Sequence, residues 1–238
     1  MVGGQAMRSL TGQLLVATPS LRDPNFERTV VLLVAHEEGG ALGVVLNRAT
    51  EVPVSEVLGA WGALARDPAV IFEGGPVQPE SAICLARTRP GVTPRRGFHR
   101  VSGVIGTVDL AGDPEHFRAA VEGVRVFAGY AGWSPGQLEG EIKTGSWFVF
   151  DALPGDAFVP RPDDLWPMVL RRHACIMLVS DVQPSLDAMH AFHQSVHATI
   201  NRADMDKLML ILQQVTNDNA IFLNVYRDVQ TRIAQGKR

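Results

Sequence analysis

The chain has 238 residues, of which 46% are hydrophobic and 20% charged, a balance that fits a globular protein able to bury a sizeable core. Its net charge of −3 excludes a protein drawn to nucleic acid by overall charge. No apolar run of about 18 residues occurs, and no long apolar stretch follows the first eight residues, so a membrane-free cytoplasmic protein without a signal peptide is expected.

Taken in chain order, the elements alternate between strand and helix signals. Residues 29–36 (TVVLLVAH) form a continuous β-branched and aliphatic run, long enough for a buried strand and short for a helix. Residues 41–47 (ALGVVLN) follow after EEGG, so the pair reads as a β-hairpin. Pro53 at a first helical turn opens VSEVLGAWGALA, and residues 69–75 return to strand. Cys84, in ICLAR, and the later Cys175 stand in apolar surroundings without a C-x-x-C partner, as buried thiols rather than metal or redox groups. After VSGVIGTVDL, Asp113 and Pro114 mark a helix start for DPEHFRAAVEG. VRVFAGY, the strand-like GSWFVFDAL and a helix over about 163–173 complete the first 187 residues. Together they predict a compact layered α/β domain with a mixed β-sheet flanked by helices.

Composition shifts after residue 187. The last 51 residues hold one of the 23 glycines and none of the 15 prolines; they carry six basic and four acidic residues, net +2, against 16 basic and 21 acidic before them, net −5. This marks 188–238 as a separately built segment beside a 1–187 domain. Apolar spacing at Leu186, Met189, His193, Val196 and Ile200 predicts an all-helical extension, with Asn201 or Asp204 capping a second helix and residues 216–220 a third. His190, His193 and His197 share one helical side at metal-compatible spacing. They border the apolar stripe, however, and fit a helix contact better than a metal site. The extension suits homo-oligomerisation.

Several stretches invite a chemical role. G-W-S-P-G at 132–136 matches the G-x-S-x-G turn of serine hydrolases. In that turn the residue after the nucleophile donates an N–H to the oxyanion, and Pro135 has none. Ser134 as N-cap, Pro135 at N1 and Gln137 at N3 instead spell a capping box, so Ser134 is read as a cap and no catalytic residue is assigned. EGGPV at 73–77 lacks the rest of a phosphate loop; Gly74 and Gly75 suit a turn ahead of Pro76. Arg28, Asn47 and Arg48 fall at strand ends and could converge on an anion. Residues 87–100 form a basic loop with Arg87, Arg89, Arg95, Arg96 and Arg100, able to neutralise phosphates but lacking a recognition helix or aromatic platform.

The blocks at 12–48 (GQLLVATPSLRDPNFERTVVLLVAHEEGGALGVVLNR), 73–77 (EGGPV), 127–142 (FAGYAGWSPGQLEGEI) and GSWFV followed by DDLWPMVLRR together resemble the YqgE/AlgH family of bacterial proteins. The resemblance covers roughly residues 9–187. It implies a compact α/β fold around a mixed sheet and, through the AlgH name, a role in regulating alginate biosynthesis by transcriptional regulation, with no established catalytic activity. The matching positions include Arg28, His36, Asn47, Arg48, Gly74, Gly75, Gln137 and Glu139. The helical tail extends past the usual members.

Three functions are consistent with these residues. The preferred one is a non-enzymatic regulatory or binding module that recognises a protein or small anionic ligand through Arg28, Asn47, Arg48 and the Gly74–Gly75 turn, with Gln137 and Glu139 as further candidates. A second is nucleic-acid binding through the basic loop. The third is an enzyme using carboxylates such as Glu73, Glu139 or Glu141. No cofactor is implied.

Overall fold

The structure, a computed structural model, describes residues 9–92, 94, 97–173, 177–182, 184–187, 198–208, 210, 211 and 214. They divide into two compact units, with the boundary between Met168 and Val169.

Among the described residues the first unit contains ten strands: β1 (Gln13–Ala17), β2 (Val30–Glu37), β3 (Gly40–Val45), β4 (Ala49–Pro53), β5 (Val70–Glu73), β6 (Val77–Thr88), β7 (Phe98–Ser102), β8 (Ile105–Val108), β9 (Val121–Trp133) and β10 (Trp147–Asp151). Between them lie α1 (Val54–Leu58), α2 (Glu115–Arg118) and α3 (Gln137–Lys143), and α4 (Leu165–His173) spans the unit boundary. The strands join one sheet in the order β10-β1-β2-β3-β9-β6-β8-β7, with β4 attached through β5 to β9. Among the strands of the described residues, the β5–β9 pairing is the parallel one in this sheet, extended by an isolated parallel bridge between Ala65 and Val124. The fold is thus mixed α/β, dominated by an antiparallel sheet.

Strand β9 organises the sheet. Its first part, up to Ala128, lies between β5 and β6, and its last three residues pair with Ala41–Gly43 of β3. Gly129, at φ 68°, marks the change; a Cβ there would press on Val77 O at 2.9 Å, so the crossing demands glycine. Two cores follow from the alternation of inward residues. Leu15, Val31, Leu33, Val45, Trp133, Leu138 and Trp147 fill one, and Val54, Trp61, Cys84, Val108, Phe117, Val124 and Val126 the other. The sheet also curls: a Cβ on Gly12, just before β1, would sit 2.6 Å from the Ser102 Cβ at the end of β7.

Helices are shorter than the sequence suggests, so the expected flanking layer is thin. Asp113 does cap, accepting from the Glu115 N–H at 2.9 Å, but α2 stops at Arg118 and Val121 opens β9. Val121 pairs with Thr88, and sheet pairing of a β-branched residue outweighs weak helix propensity. The basic loop is also shorter than 87–100, because Arg87 lies in β6 and Arg100 in β7.

In the second unit, β11 (Met177–Ser180) pairs in parallel with β12 (Ala198–Asn201), followed by a 3₁₀ turn at Arg202–Lys207. Asn201 caps that turn, its Oδ1 accepting from the Ala203 N–H at 2.9 Å. The helix expected through Ile200 is therefore corrected at 198–201, which is strand. Thr199 explains the preference: its hydroxyl donates to Pro184 O at 2.8 Å and accepts from the Asp187 N–H at 3.0 Å, fixing an extended chain. An all-helical extension is not what the described residues show. His190, His193, His197, Cys175 and residues 216–220 lie outside them. Among the described residues no helix is long and apolar enough to cross a membrane.

Candidate functional site

The loop between β1 and β2 builds the first candidate site. Asp23 nucleates it, its Oδ1 accepting from the Asn25 N–H and its carbonyl from the N–H groups of Phe26 and Glu27. The Thr29 N–H and hydroxyl both return to Phe26 O. Between them Arg28 is forced to φ 55°, the left-handed region that disfavours residues with a Cβ. Asn47, just past β3, pins it from both sides: Nδ2 donates to Arg28 O and Oδ1 accepts from the Val30 N–H, each at 2.9 Å.

The exposed Arg28 guanidinium lies over the Trp166 ring, 5.9 Å from its centre. Trp166 is itself fixed by donation from Nε1 to Ala17 O at 2.8 Å. Arg48 donates from Nη2 to Pro24 O of the same loop at 3.0 Å. Behind them, the Glu73 N–H donates to Arg48 O, the Gly74 N–H to Ala128 O, and the Val45 N–H to Gly74 O. A Cβ on Gly74 would collide with Gly129 O and one on Gly75 with the Tyr130 carbonyl. These glycines permit close strand approach, and the Gly74 N–H is already spent in the sheet. The structure thus brings Arg28, Asn47, Arg48, Gly74 and Gly75 around one set of strand ends.

Gln137 and Glu139 lie elsewhere, beside the far end of β2. Ser134 to Gln137 is a turn with Pro135 second and Gly136 third at φ 75°, ψ −8°, closed by donation from the Gln137 N–H to Ser134 O. That is type II geometry, and α3 starts at Gln137, two residues later than a Ser134 cap requires. Half of the expected capping box forms: the Gln137 Oε1 accepts from the Ser134 N–H at 3.0 Å. Gln137 Nε2 then donates to Glu141 Oε1 at 2.9 Å, while Glu141 Oε2 accepts from the indoles of Trp133 and Trp147 at 2.9 and 2.8 Å. Phe26 covers both indoles, with ring centres 6.2 and 5.5 Å away. The Glu141 carboxylate serves as a structural tie.

Glu139 Oε1 meets His36 Nε2 at 2.9 Å, and His36 Nδ1 accepts from the Leu10 N–H at 3.0 Å. The backbone donor on Nδ1 places the ring proton on Nε2, which donates to Glu139. With both nitrogens engaged and the residue 4% exposed, His36 is not placed as a base for Ser134.

The basic residues do not share one environment. Arg87 Nε stands 2.8 Å from Glu122 Oε2, and Arg100 donates to Gly103 O. The Arg89 side chain is exposed, whereas Arg95 and Arg96 lie outside the described residues. Nearby, an open cavity of about 560 Å³ is lined by Pro94, Gly97, Asp109, Gly112, Asp113, His116 and Phe117. Its two carboxylates each cap a backbone N–H, of Ala111 and of Glu115. Among the described residues, no group of three or more His, Cys, Asp or Glu is placed to hold a metal ion.

Arg125 escaped the sequence reading. It is 1% exposed in the middle of β9, donating to Ala157 O, Asp67 O and Val159 O at 2.8–3.0 Å. Burial, with the charge of Arg66, pushes its guanidinium down to about 10. The available signal was a lone charged residue inside the apolar run VRVFAGY.

Comparison with known proteins adds a family. Residues 14–177 match the AlgH-like family. A UPF0301 protein of Streptomyces coelicolor is 53% identical over 175 residues, covering 72% of this chain and 91% of its own. One from Mycobacterium tuberculosis is 49% identical over 173 residues, covering 72% and 86%. A crystal structure of a Corynebacterium diphtheriae protein superimposes with TM-score 0.67 at 36% identity, over 71% of this chain and 90% of that one. The solution structure of the AlgH protein from Pseudomonas aeruginosa gives 0.54 at 29%, over 71% and 91%.

Proposed function

The chain belongs to the AlgH-like family, and from that premise we propose that it is a non-enzymatic regulatory module that docks an anionic group of a protein or small ligand on Arg28 and Arg48. The observation that carries this proposal is Arg28 itself: a strained, exposed arginine whose backbone is clamped by Asn47 and whose guanidinium rests on an anchored indole. Strain of this kind persists where the surroundings over-determine it, and such positions cluster at sites of recognition. Transcriptional regulation, suggested by the family name, would then act through the partner so bound.

Local chemistry favours binding over catalysis. Glu139 and Glu141 are engaged by His36, by two indoles and by Gln137, and Ser134 is followed by a proline. The partners that Arg87 and Arg100 find within the chain, Glu122 and Gly103 O, count against the nucleic-acid alternative.

The test is affinity capture with the full chain and with an Arg28→Gln, Arg48→Gln double variant, with and without nuclease. A partner retained by the wild type, lost from the variant and indifferent to nuclease is expected. Identical retention by both chains would overturn the docking role, and nuclease-sensitive retention that survives the double substitution would transfer it to the basic loop.

A further inference from the structure

We infer that the Arg28–Trp166 pair is a carboxylate anchor, so that the group recognised is an Asp, Glu or C-terminal carboxylate of a polypeptide segment rather than a phosphate. The inference rests on the docking function proposed above and names its ligand.

Arg28 occupies a backbone conformation in which glycine would sit without steric cost. The arginine is therefore explained by its side chain, which has been ordered in advance. Asn47 holds the backbone on both sides, and Trp166, tied to Ala17 O, offers a fixed face for the guanidinium. Ordering before binding removes part of the entropic cost of recognition. The guanidinium lies over the indole, 5.9 Å from its centre, and the planar fork of an arginine presents a pair of N–H donors that matches the two oxygens of a carboxylate.

Phosphate recognition needs more donors than this site retains. Phosphate cradles draw on free backbone N–H groups at helix starts or nests. Here the N–H groups of Asn25, Phe26, Glu27 and Thr29 all close the loop on itself, and that of Gly74 serves the sheet. Beside these, the site offers the side-chain forks of Arg28 and Arg48. The loop's own acids do not occupy it: Asp23 accepts from the Asn25 N–H, and Glu27 pairs with Arg22 at 3.3 Å. Their negative charge opposes a dianionic phosphate more than a single carboxylate. Arg48, bonded to Pro24 O, positions the same loop and adds a second cation to it.

The experiment titrates the full chain by calorimetry with capped hexaglutamate, citrate and inorganic phosphate at equal ionic strength. Tryptophan emission is followed in parallel, because Trp166 is half-buried while Trp61, Trp133 and Trp147 are buried. Hexaglutamate should bind with a change in emission that Trp166→Phe removes, and Arg28→Gly should weaken it roughly tenfold or more. Arg28→Lys, which keeps the charge and loses the fork, should retain little of the affinity. Citrate binding as well as the peptide would make the ligand a small carboxylate and overturn the polypeptide assignment. Phosphate binding as tightly as hexaglutamate, with the same dependence on Arg28, would overturn the carboxylate assignment and leave the docking function standing. Peptide binding unchanged in Arg28→Gly would overturn both. Failure of hexaglutamate to bind the wild type would overturn the carboxylate anchor, with the docking function then decided by the capture experiment.

Discussion

The guanidinium carbon of Arg125 lies 4.4 Å from the centre of the Phe72 ring, in a residue only 1% exposed. The Phe158 ring centre is 5.6 Å from the same carbon, and the Nη groups bond three carbonyls from two separate segments. Arg125→Met should fill similar volume but leave Asp67, Ala157 and Val159 without these donors, at a cost of about 3 kcal/mol or more in urea unfolding. Arg125→Lys, shorter and without the fork, should lose roughly half of that. A cost below about 1 kcal/mol for the methionine variant would show that these bonds are dispensable.

Glu141 ties Trp133, Trp147 and Gln137 together. Glu141→Ala is expected to destabilise by about 2–3 kcal/mol, since two largely buried indole N–H groups lose a charged acceptor. Tryptophan emission should change with it. Gln137→Ala should cost about 1 kcal/mol through the turn alone.

At the start of α3 the critical residue is Gly136. Its φ of 75° strains any residue with a Cβ, although nothing crowds the position. Gly136→Ala should cost about 1 kcal/mol by thermal melting, and Gly136→Asn less. Ser134→Ala keeps the N–H that Gln137 accepts from and should fall within about 0.5 kcal/mol of wild type. Loss of a hydrolytic activity on Ser134→Ala, with the fold intact, would overturn the structural account of this serine.

Replacing Arg28 by glycine relieves left-handed strain while freeing the unfolded chain, so unfolding free energy should stay level or rise by up to about 1 kcal/mol. A drop of more than about 1 kcal/mol in chemical unfolding would assign Arg28 to stability rather than to recognition.

Burial pushes the Cys84 thiol well above its ordinary value, so no thiolate forms near neutral pH. In a Cys175→Ser background the folded chain should resist a thiol reagent at pH 8 and react fully once denaturant is added. Rapid labelling of the folded protein would contradict the packing around this strand.

Parts of this fold were legible because local pattern and tertiary demand agree. The run at 29–36 is apolar throughout and becomes β2, buried in the sheet; EEGG sets the β2–β3 hairpin. Ser134-x-x-Gln137 was ambiguous because the same spacing serves a capping box and a proline–glycine turn ahead of a helix, and the backbone at Gly136 decides. The strand at 198–201 was hidden because Thr199 and Ile200 fit either period over so short a stretch. The partner of Arg87 was beyond local reach, since it meets Glu122 only because β6 and β9 pair with Arg87 opposite Gly123. The candidate anion site was half visible, as Arg28, Asn47 and Arg48 at strand ends. Trp166, which supports the arginine, is 138 residues away in sequence and gave no sign of it.

Because β9 supplies the neighbour of β3 and also of β5 and β6, neither half of the sheet can be finished without residues 121–133. During synthesis, some hundred residues of strand-forming chain must wait at the ribosome with open edges until this one segment emerges. A nascent chain stalled before it would expose the edges of β3, β5 and β6 together, a natural target for chaperones and proteases.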